Sequence, residues 1–377
     1  MHRAVPVNTP SLTGNEAKYL QECIDTGWIS AEGPFVNQFE SQFSKYIGRQ
    51  FGIAVSNGSG ALDIAVQALH IGPGDEVILP TFTIISPAFS IVRAGALPVL
   101  VDSHPLTWNM DTTKIEERIT SRTKAILVVH LYGLPADMDP IIAIAEKYKL
   151  FIIEDAAEMI GQEYKDKKCG SFGHISTFSF YSNKHITTGE GGMLLCDDQT
   201  LAERCKKLRN LAFEPHERRF VHFENGWNYR MTNLQAALGV AQLEKIDQTL
   251  IKKKASGKYY HNRLSFLTHH NYELPLSTTT YAENIYWIFG LVAPDEIKLR
   301  KLLEFLSVKG IATRPFFWCM HEQPVFNKLG LFGHESYPVA EKLARTGFYL
   351  PGGTGISTED MEFVTAVITE YFSKWIN

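Results

Sequence analysis

The sequence predicts an α/β fold: a mostly parallel sheet covered by helices on both faces, with a smaller α+β unit after it. Three observations carry this. From Gln50 to Asp198, apolar runs alternate with helical patterns. The runs are continuous stretches rich in Val, Ile and Leu, as expected of strands buried on both faces. After Lys254 the texture changes to polar turns and short mixed elements. The 377 residues also exceed the roughly 250–300 at which a single core stops growing, so two domains are expected, 1–250 and 251–377.

Taken in order, Asn15 to Ile24 places Tyr19, Leu20, Cys23 and Ile24 on one stripe of an amphipathic helix. Trp28-Ile29-Ser30 and Gly33-Pro34 end it, and Val36 to Ile47 forms a second helix. The expected strands are Phe51–Val55, Val77–Leu79, Leu97–Val101, Ala125–Leu131, Phe151–Ile153, Ile175–Phe180 and Met193–Cys196. Helical patterns lie between most of them, such as Leu62, Ala65, Val66 and Leu69, or Ile141 to Tyr148. Residues 199–255 read as helical, broken by a loop from Glu214 to Met231. Thr232 to Leu250 reads as one long helix, with Thr232 as cap and Gln235 three residues on. Beyond it come turns at Thr268–Thr280, a strand Tyr286–Val292, a helix Glu296–Lys309, a strand Gly310–Phe317 and a closing helix Asp360–Trp375.

The bulk numbers exclude several classes. The net charge of −4 and the lack of a dense basic run argue against a nucleic-acid partner; Lys252-Lys253-Lys254 reads as a solvated helix face. The five cysteines, Cys23, Cys169, Cys196, Cys205 and Cys319, form no C-x-x-C pair. Neither a disulfide framework nor a metal site is expected, and a reducing cytoplasm fits. Met1 to Gly14 has no apolar core of a signal peptide. No apolar run approaches the roughly 20 residues of a membrane helix.

Three features carry chemistry. Ser56-Asn-Gly-Ser-Gly60 joins a strand to a helix starting near Ala61. It is either a plain tight turn or a phosphate cradle of backbone N–H groups at a helix N-terminus. Asp155 follows a buried strand, where α/β sheets place ligands. It either caps a helix over Ala156–Ile160 or faces a protonated ring nitrogen. Lys184 lies in a glycine-flanked connection between two strands, either solvated or a nucleophile. A phosphate anchor, a carboxylate and a lysine, in that order on one parallel sheet, are what pyridoxal phosphate requires.

With these residues in place, the chain resembles the DegT/DnrJ/EryC1/StrS sugar aminotransferases, of the aspartate-aminotransferase (type I) fold. The likeness runs through Gly33-Pro34-Phe35-Val36, Val55 to Gly58, Gly72 to Ile78, His130 to Gly133, Glu154 to Glu158, Ser179 to Gly192, Asn228 to Asn233, Arg314 to Phe317, Met320-His321 and Leu350-Pro351. Within the group it is most similar to GDP-perosamine synthases, through Pro10 to Glu16, Trp28 to Ser30 and Asn183 to Gly192. The resemblance implies a large domain binding pyridoxal 5'-phosphate and a smaller C-terminal α+β domain. It implies amination, from L-glutamate, of the C4 keto group of a nucleotide-linked 4-keto-6-deoxy sugar. Lys184 would bind the cofactor covalently, Asp155 would pair with its ring nitrogen, and Glu158 would lie near its hydroxyl. Gly58, Ser59 and Ser179 would hold the phosphate, with Asn228 entering from the other subunit of a homodimer. Trp28, Tyr229, Arg314 and His321 would lie toward the sugar nucleotide.

Two positions depart from the group. Ile84 stands where many relatives carry an aromatic residue that stacks on the cofactor, with Phe82 close by as a substitute. His185 follows the lysine, where perosamine synthases usually have an apolar residue or threonine. Sugar dehydratases of the same fold replace the lysine by histidine, so Lys184 favours amino transfer. The other readings are a UDP- or dTDP-sugar aminotransferase, a dehydratase, a non-catalytic cofactor-binding regulator, and a nicotinamide oxidoreductase using Gly58 to Gly60.

Overall fold

The computed structural model describes residues 3–214 and 216–375. Met1 and His2, of the Met1 to Gly14 stretch, and Pro215, of the loop expected from Glu214 to Met231, lie outside the described residues, as do residues 376–377. Helices α1 (Glu16–Thr26) and α2 (Pro34–Ile47) precede strand β1 (Phe51–Val55) and helix α3 (Gly58–Ala68). Then follow β2 (Glu76–Pro80), α4 (Ser86–Arg93), β3 (Leu97–Val101), β4 (Thr123–Val129), α5 (Met138–Tyr148) and β5 (Phe151–Asp155). A small hairpin, β6 (Glu163–Tyr164) and β7 (Lys167–Lys168), leads into β8 (Ile175–Ser179) and β9 (Gly192–Cys196). The large sheet has the order β1-β9-β8-β5-β4-β2-β3. β9 runs antiparallel to β1 and β8, and the other pairings are parallel. This is the expected mostly parallel sheet.

Period-2 alternation divides its side chains between two cores. Ile53, Val55, Leu127, Val129 and Ile153 pack under α3 and α4. Ala54, Ile126, Val128, Ile152 and Phe178 pack under α1, α2 and α5. The carboxyl ends of β1, β2, β4, β5 and β8 share one edge, and the loops leaving that edge form the site.

Helix α6 (Gln199–Arg209) closes the first face. The single helix expected over Thr232–Leu250 is two helices, α7 (Asn233–Leu243) and α8 (Ile246–Leu264). The start is as expected: Thr232 and Gln235 form a reciprocal capping box. The break at Glu244–Lys245 is tertiary in origin. Glu244 accepts hydrogen bonds from Asn15 and Tyr19, and Lys245 Nζ donates to the Thr13 carbonyl. The residue 250 chosen from sequence lies inside α8, whose Ile246 joins the large-domain core while Tyr260 and Leu264 join a third.

That third core belongs to the C-terminal part, a three-stranded antiparallel sheet in the order β10 (Phe289–Val292), β12 (Gly347–Leu350), β11 (Arg314–Pro315). Helices α9 (Glu296–Val308), α10 (Pro324–Lys328), α11 (Pro338–Thr346) and α12 (Thr358–Trp375) complete the chain. Two expected strands are shorter than predicted. Tyr286 has φ of 54°, which delays β10 to Phe289. Pro315 lacks an N–H, and β11 is two residues long.

Candidate active site

The helix after β1 begins at Gly58, three residues before the expected start. Asn57 is its cap, with Oδ1 accepting from Gly60 N at 2.8 Å. The N–H groups of Gly58 and Ser59 are thereby left at the helix terminus, facing the sheet edge. A Cβ on Gly58 would stand 2.9 Å from the Ser179 Cβ, so only glycine permits this approach. Ser59 Oγ lies 2.8 Å from Ser86 Oγ.

Asp155 is the last residue of β5 and Thr177 is its register partner on β8. The helix expected over Ala156–Ile160 is a turn, so Asp155 is no helix cap; its Oδ1 accepts one hydrogen bond, from Ala157 N at 3.1 Å. Burial raises its pKa, against the pull of that N–H and of Lys184. Beside it, Glu158 Oε2 accepts from Tyr132 N at 2.7 Å, and Oε1 lies 3.9 Å from Lys184 Nζ. Burial pushes the Glu158 carboxyl up to about 7. The Lys184 side chain is 10% exposed. Burial lowers its pKa, opposed by Glu158 and Asp155. Lys184 is therefore not a solvated loop charge, and its amine is tuned toward a neutral base.

These residues line one cleft of about 330 Å³, with Gly58, Ser59, Asp155, Glu158, Ser179, Lys184 and Arg314 all in its wall. Arg314 is the one guanidinium among the described lining residues. The other expected residues lie elsewhere. Asn228 is exposed and accepts from Arg230. Tyr229 packs its ring on Gly60 and donates to Asp63 at 3.3 Å. Trp28 is 49% exposed and its carbonyl is held by Asn233. His321 is buried behind the wall, with Nδ1 2.8 Å from Thr81 Oγ1 and Nε2 3.2 Å from Glu341. Phe82 is fully buried against Tyr132, Phe316 and Phe317, so it is not a substitute stacking residue. Ile84 is the one that faces the cleft, 45% exposed. His185 turns away from it: Nδ1 lies 3.1 Å from the Ile160 carbonyl, and burial with the nearby Lys253 lowers its pKa to about 3.

Several lining residues escaped the sequence reading. Thr177 stands two positions before Ser179 on the same strand face, and that spacing was the available signal. Trp287, Phe317 and Tyr349 come from the C-terminal part; Phe317 ends the Arg314 to Phe317 stretch, and no local pattern marks the other two. His130 ends the row of strand termini. Its Nδ1 accepts from Ala136 N at 3.1 Å, so Nε2 carries the proton and donates to Glu154 at 3.1 Å. Burial works against the Glu154 charge, but His130 and the N–H groups of Gly170 and Phe172 outweigh it and keep the carboxyl ionised.

Pyridoxal phosphate fits this donor set. Thr83 Oγ1, Thr177 Oγ1 and Asn183 Oδ1 are buried in the cleft wall with no protein partner. The N-terminus of α3 is of the kind that can receive a phosphate, and the Asp155 carboxylate, with one N–H partner, can pair with a cation.

Comparison with known proteins agrees. Residues 10–369 match the DegT/DnrJ/EryC1/StrS aminotransferase family. The chain is 40% identical over 369 residues to the GDP-perosamine synthase of Escherichia coli O157:H7, covering 98% of this chain and 99% of that one. It is 36% identical over 371 residues to the GDP-perosamine synthase of Vibrio cholerae, covering 98% and 99%. Among solved structures, DesV of S. venezuelae superposes with a TM-score of 0.87 at 31% identity, covering 95% of this chain and 94% of that one.

Proposed function

Because the chain belongs to the DegT/DnrJ/EryC1/StrS aminotransferase family, and is thus a pyridoxal-phosphate-dependent sugar aminotransferase, we propose that it converts GDP-4-keto-6-deoxy-D-mannose to GDP-perosamine with L-glutamate as donor. The observation that carries this reading is the retained Lys184, set beside Glu158 and Asp155 in a chain 40% identical to a GDP-perosamine synthase along 98% of its length.

Lys184 would bind the cofactor, Asp155 would face its ring nitrogen and Glu158 its hydroxyl, while Gly58, Ser59 and Ser179 would receive its phosphate. The bound cofactor supplies an electron sink for the carbon that loses a proton. Lys184 Nζ, whose pKa burial lowers, would take that proton and return it. Asp155 would pair with the cationic ring nitrogen and so keep that sink electron-poor. Arg314 offers a guanidinium at the cleft mouth for an anionic group of the substrate.

A homodimer completes the site in this reading. Asn228 does not line the cleft of its own chain, and its loop exposes Phe220 and Phe223 by 74% and 66%. Both features suit a segment that docks on a second copy. No described helix is long and apolar enough to cross a membrane.

The test is a screen of purified protein with glutamate against GDP-, UDP- and dTDP-4-keto-6-deoxy sugars, with products read by mass. Amination of the GDP compound with a kcat/KM at least tenfold above the others is expected. Conversion of only the UDP or dTDP compound overturns the substrate, and a deoxygenated product overturns the reaction.

A further inference from the structure

The lysine of the cleft is held from two sides. Glu158 is on the sheet edge; opposite it, the centroid of the Trp287 ring lies 4.0 Å from Lys184 Nζ. An aromatic face attracts a cation at any distance up to about 6 Å, so this is a close contact. Trp287 is itself fixed. It is 5% exposed, its Nε1–H donates to the Asn183 carbonyl at 2.9 Å, and its own carbonyl accepts from Lys253 Nζ at 3.1 Å. Its ring stacks on Tyr132 with planes 14° apart. Tyr132 also supplies the N–H that orients Glu158. Behind it, a Cβ on Gly133 would stand 2.5 Å from Trp287 N, so the tryptophan backbone is pressed against the turn that follows β4. The indole, the carboxylate and the lysine are thus tied into one assembly spanning both domains.

A lysine that bonds the cofactor must also leave it and return, and its flexible stem has to be kept in place in between. We propose that Trp287 is a positioning residue for Lys184: its indole face and the Glu158 carboxylate form a berth that holds the ammonium while the side chain is not bonded to the cofactor. The proton that Nζ takes from carbon is the one it gives back, so the berth needs no co-reactant. It stabilises the state in which the lysine carries that proton. The other charged and titratable residues of the cleft wall are His130, Asp155 and Glu158 on the sheet edge, Tyr181 and Glu190 on the segment that carries the lysine, and Arg314 and Tyr349 across the cleft. His185 is turned toward Ile160.

The inference rests on Lys184 as the cofactor lysine, and one experiment separates the two. Holoenzyme is treated with acetic anhydride from pH 6 to 11, before and after glutamate frees the lysine, and acetylation of Lys184 is read by peptide mass spectrometry. Protection before glutamate and reaction after it are expected in wild type; unprotected Lys184 in the holoenzyme overturns its assignment. In Trp287→Leu the pH midpoint for the freed lysine should fall by about one unit, and in Trp287→Phe by about half a unit, because the weaker or absent ring face no longer supports the cation. A midpoint that is unchanged or higher, with protection intact, overturns the berth. Trp287→Phe alone decides if the leucine variant does not fold.

Discussion

On one side of the cleft, Gly58, Asp155, Thr177 and Ser179 hang from the ends of hydrogen-bonded strands or from the helix that follows one. On the other, Trp287, Arg314, Phe317 and Tyr349 come from a three-stranded sheet and the segments beside it. Each residue of the first wall is placed by regular secondary structure: the strand register Asp155↔Thr177, the helix cap at Asn57, the glycine at 58. Each residue of the second is placed by contacts distant in sequence. Phe317 N donates to the Tyr132 hydroxyl, and Trp287 hangs between Lys253 and Asn183. The first wall therefore suits chemistry that does not vary with substrate. The second can vary without disturbing it, and suits selection of the substrate.

The comparison breaks most sharply at Lys184. Lys184→Ala should lower turnover by about 10³-fold or more, since it removes the nucleophile and the base together. The cofactor's visible band from the lysine linkage should vanish, while the far-UV circular dichroism stays. A variant that still aminates at the wild-type rate sinks the division of labour.

The phosphate end of the same wall comes next. Gly58→Ala places a methyl 2.9 Å from the Ser179 Cβ. Overpacking of this kind costs about 1–3 kcal/mol, so cofactor affinity, read by titrating the visible band, should fall roughly ten- to hundredfold. An unchanged affinity would mean that the terminus of α3 does not hold the phosphate.

The opposite wall should respond differently. Arg314→Ala is expected to raise the KM for the nucleotide sugar about tenfold, the value of one charged hydrogen bond, and to leave kcat within about threefold. If kcat drops instead while KM holds, Arg314 belongs with the chemical wall.

This contrast also explains what could be read in advance. The order of strands and helices to Asp198 was legible because two-sided burial writes continuous apolar runs. Gly58, Asp155 and Lys184 were legible because strand ends in a parallel sheet share one edge. The helix break at Glu244 was not, because its cause is Asn15, Tyr19 and Thr13, more than 220 residues away. Trp287 read as one more apolar residue of a strand; its role depends on a positive φ at Tyr286 and on Lys253. His321 has the polarity of a ligand but spends both ring nitrogens on Thr81 and Glu341.

The smallest effect concerns Lys253, which read as one of three solvated lysines and is 4% exposed. Its ammonium meets the carbonyls of Trp287 and Gly352, and burial, aided by Lys252, lowers its pKa to about 7. An unfolded lysine keeps its proton to about pH 10.4. Between these values the unfolded chain binds one more proton than the folded one, so stability rises with pH, by about 1.4 kcal/mol per unit. Lys253→Met removes that proton from both states. The stability of wild type minus that of Lys253→Met, from urea unfolding at pH 7, 8 and 9, should therefore climb with pH while the other titrations cancel. Parallel curves would mean that Lys253 is solvated, and that the backbone of Trp287 is held by something other than a buried amine.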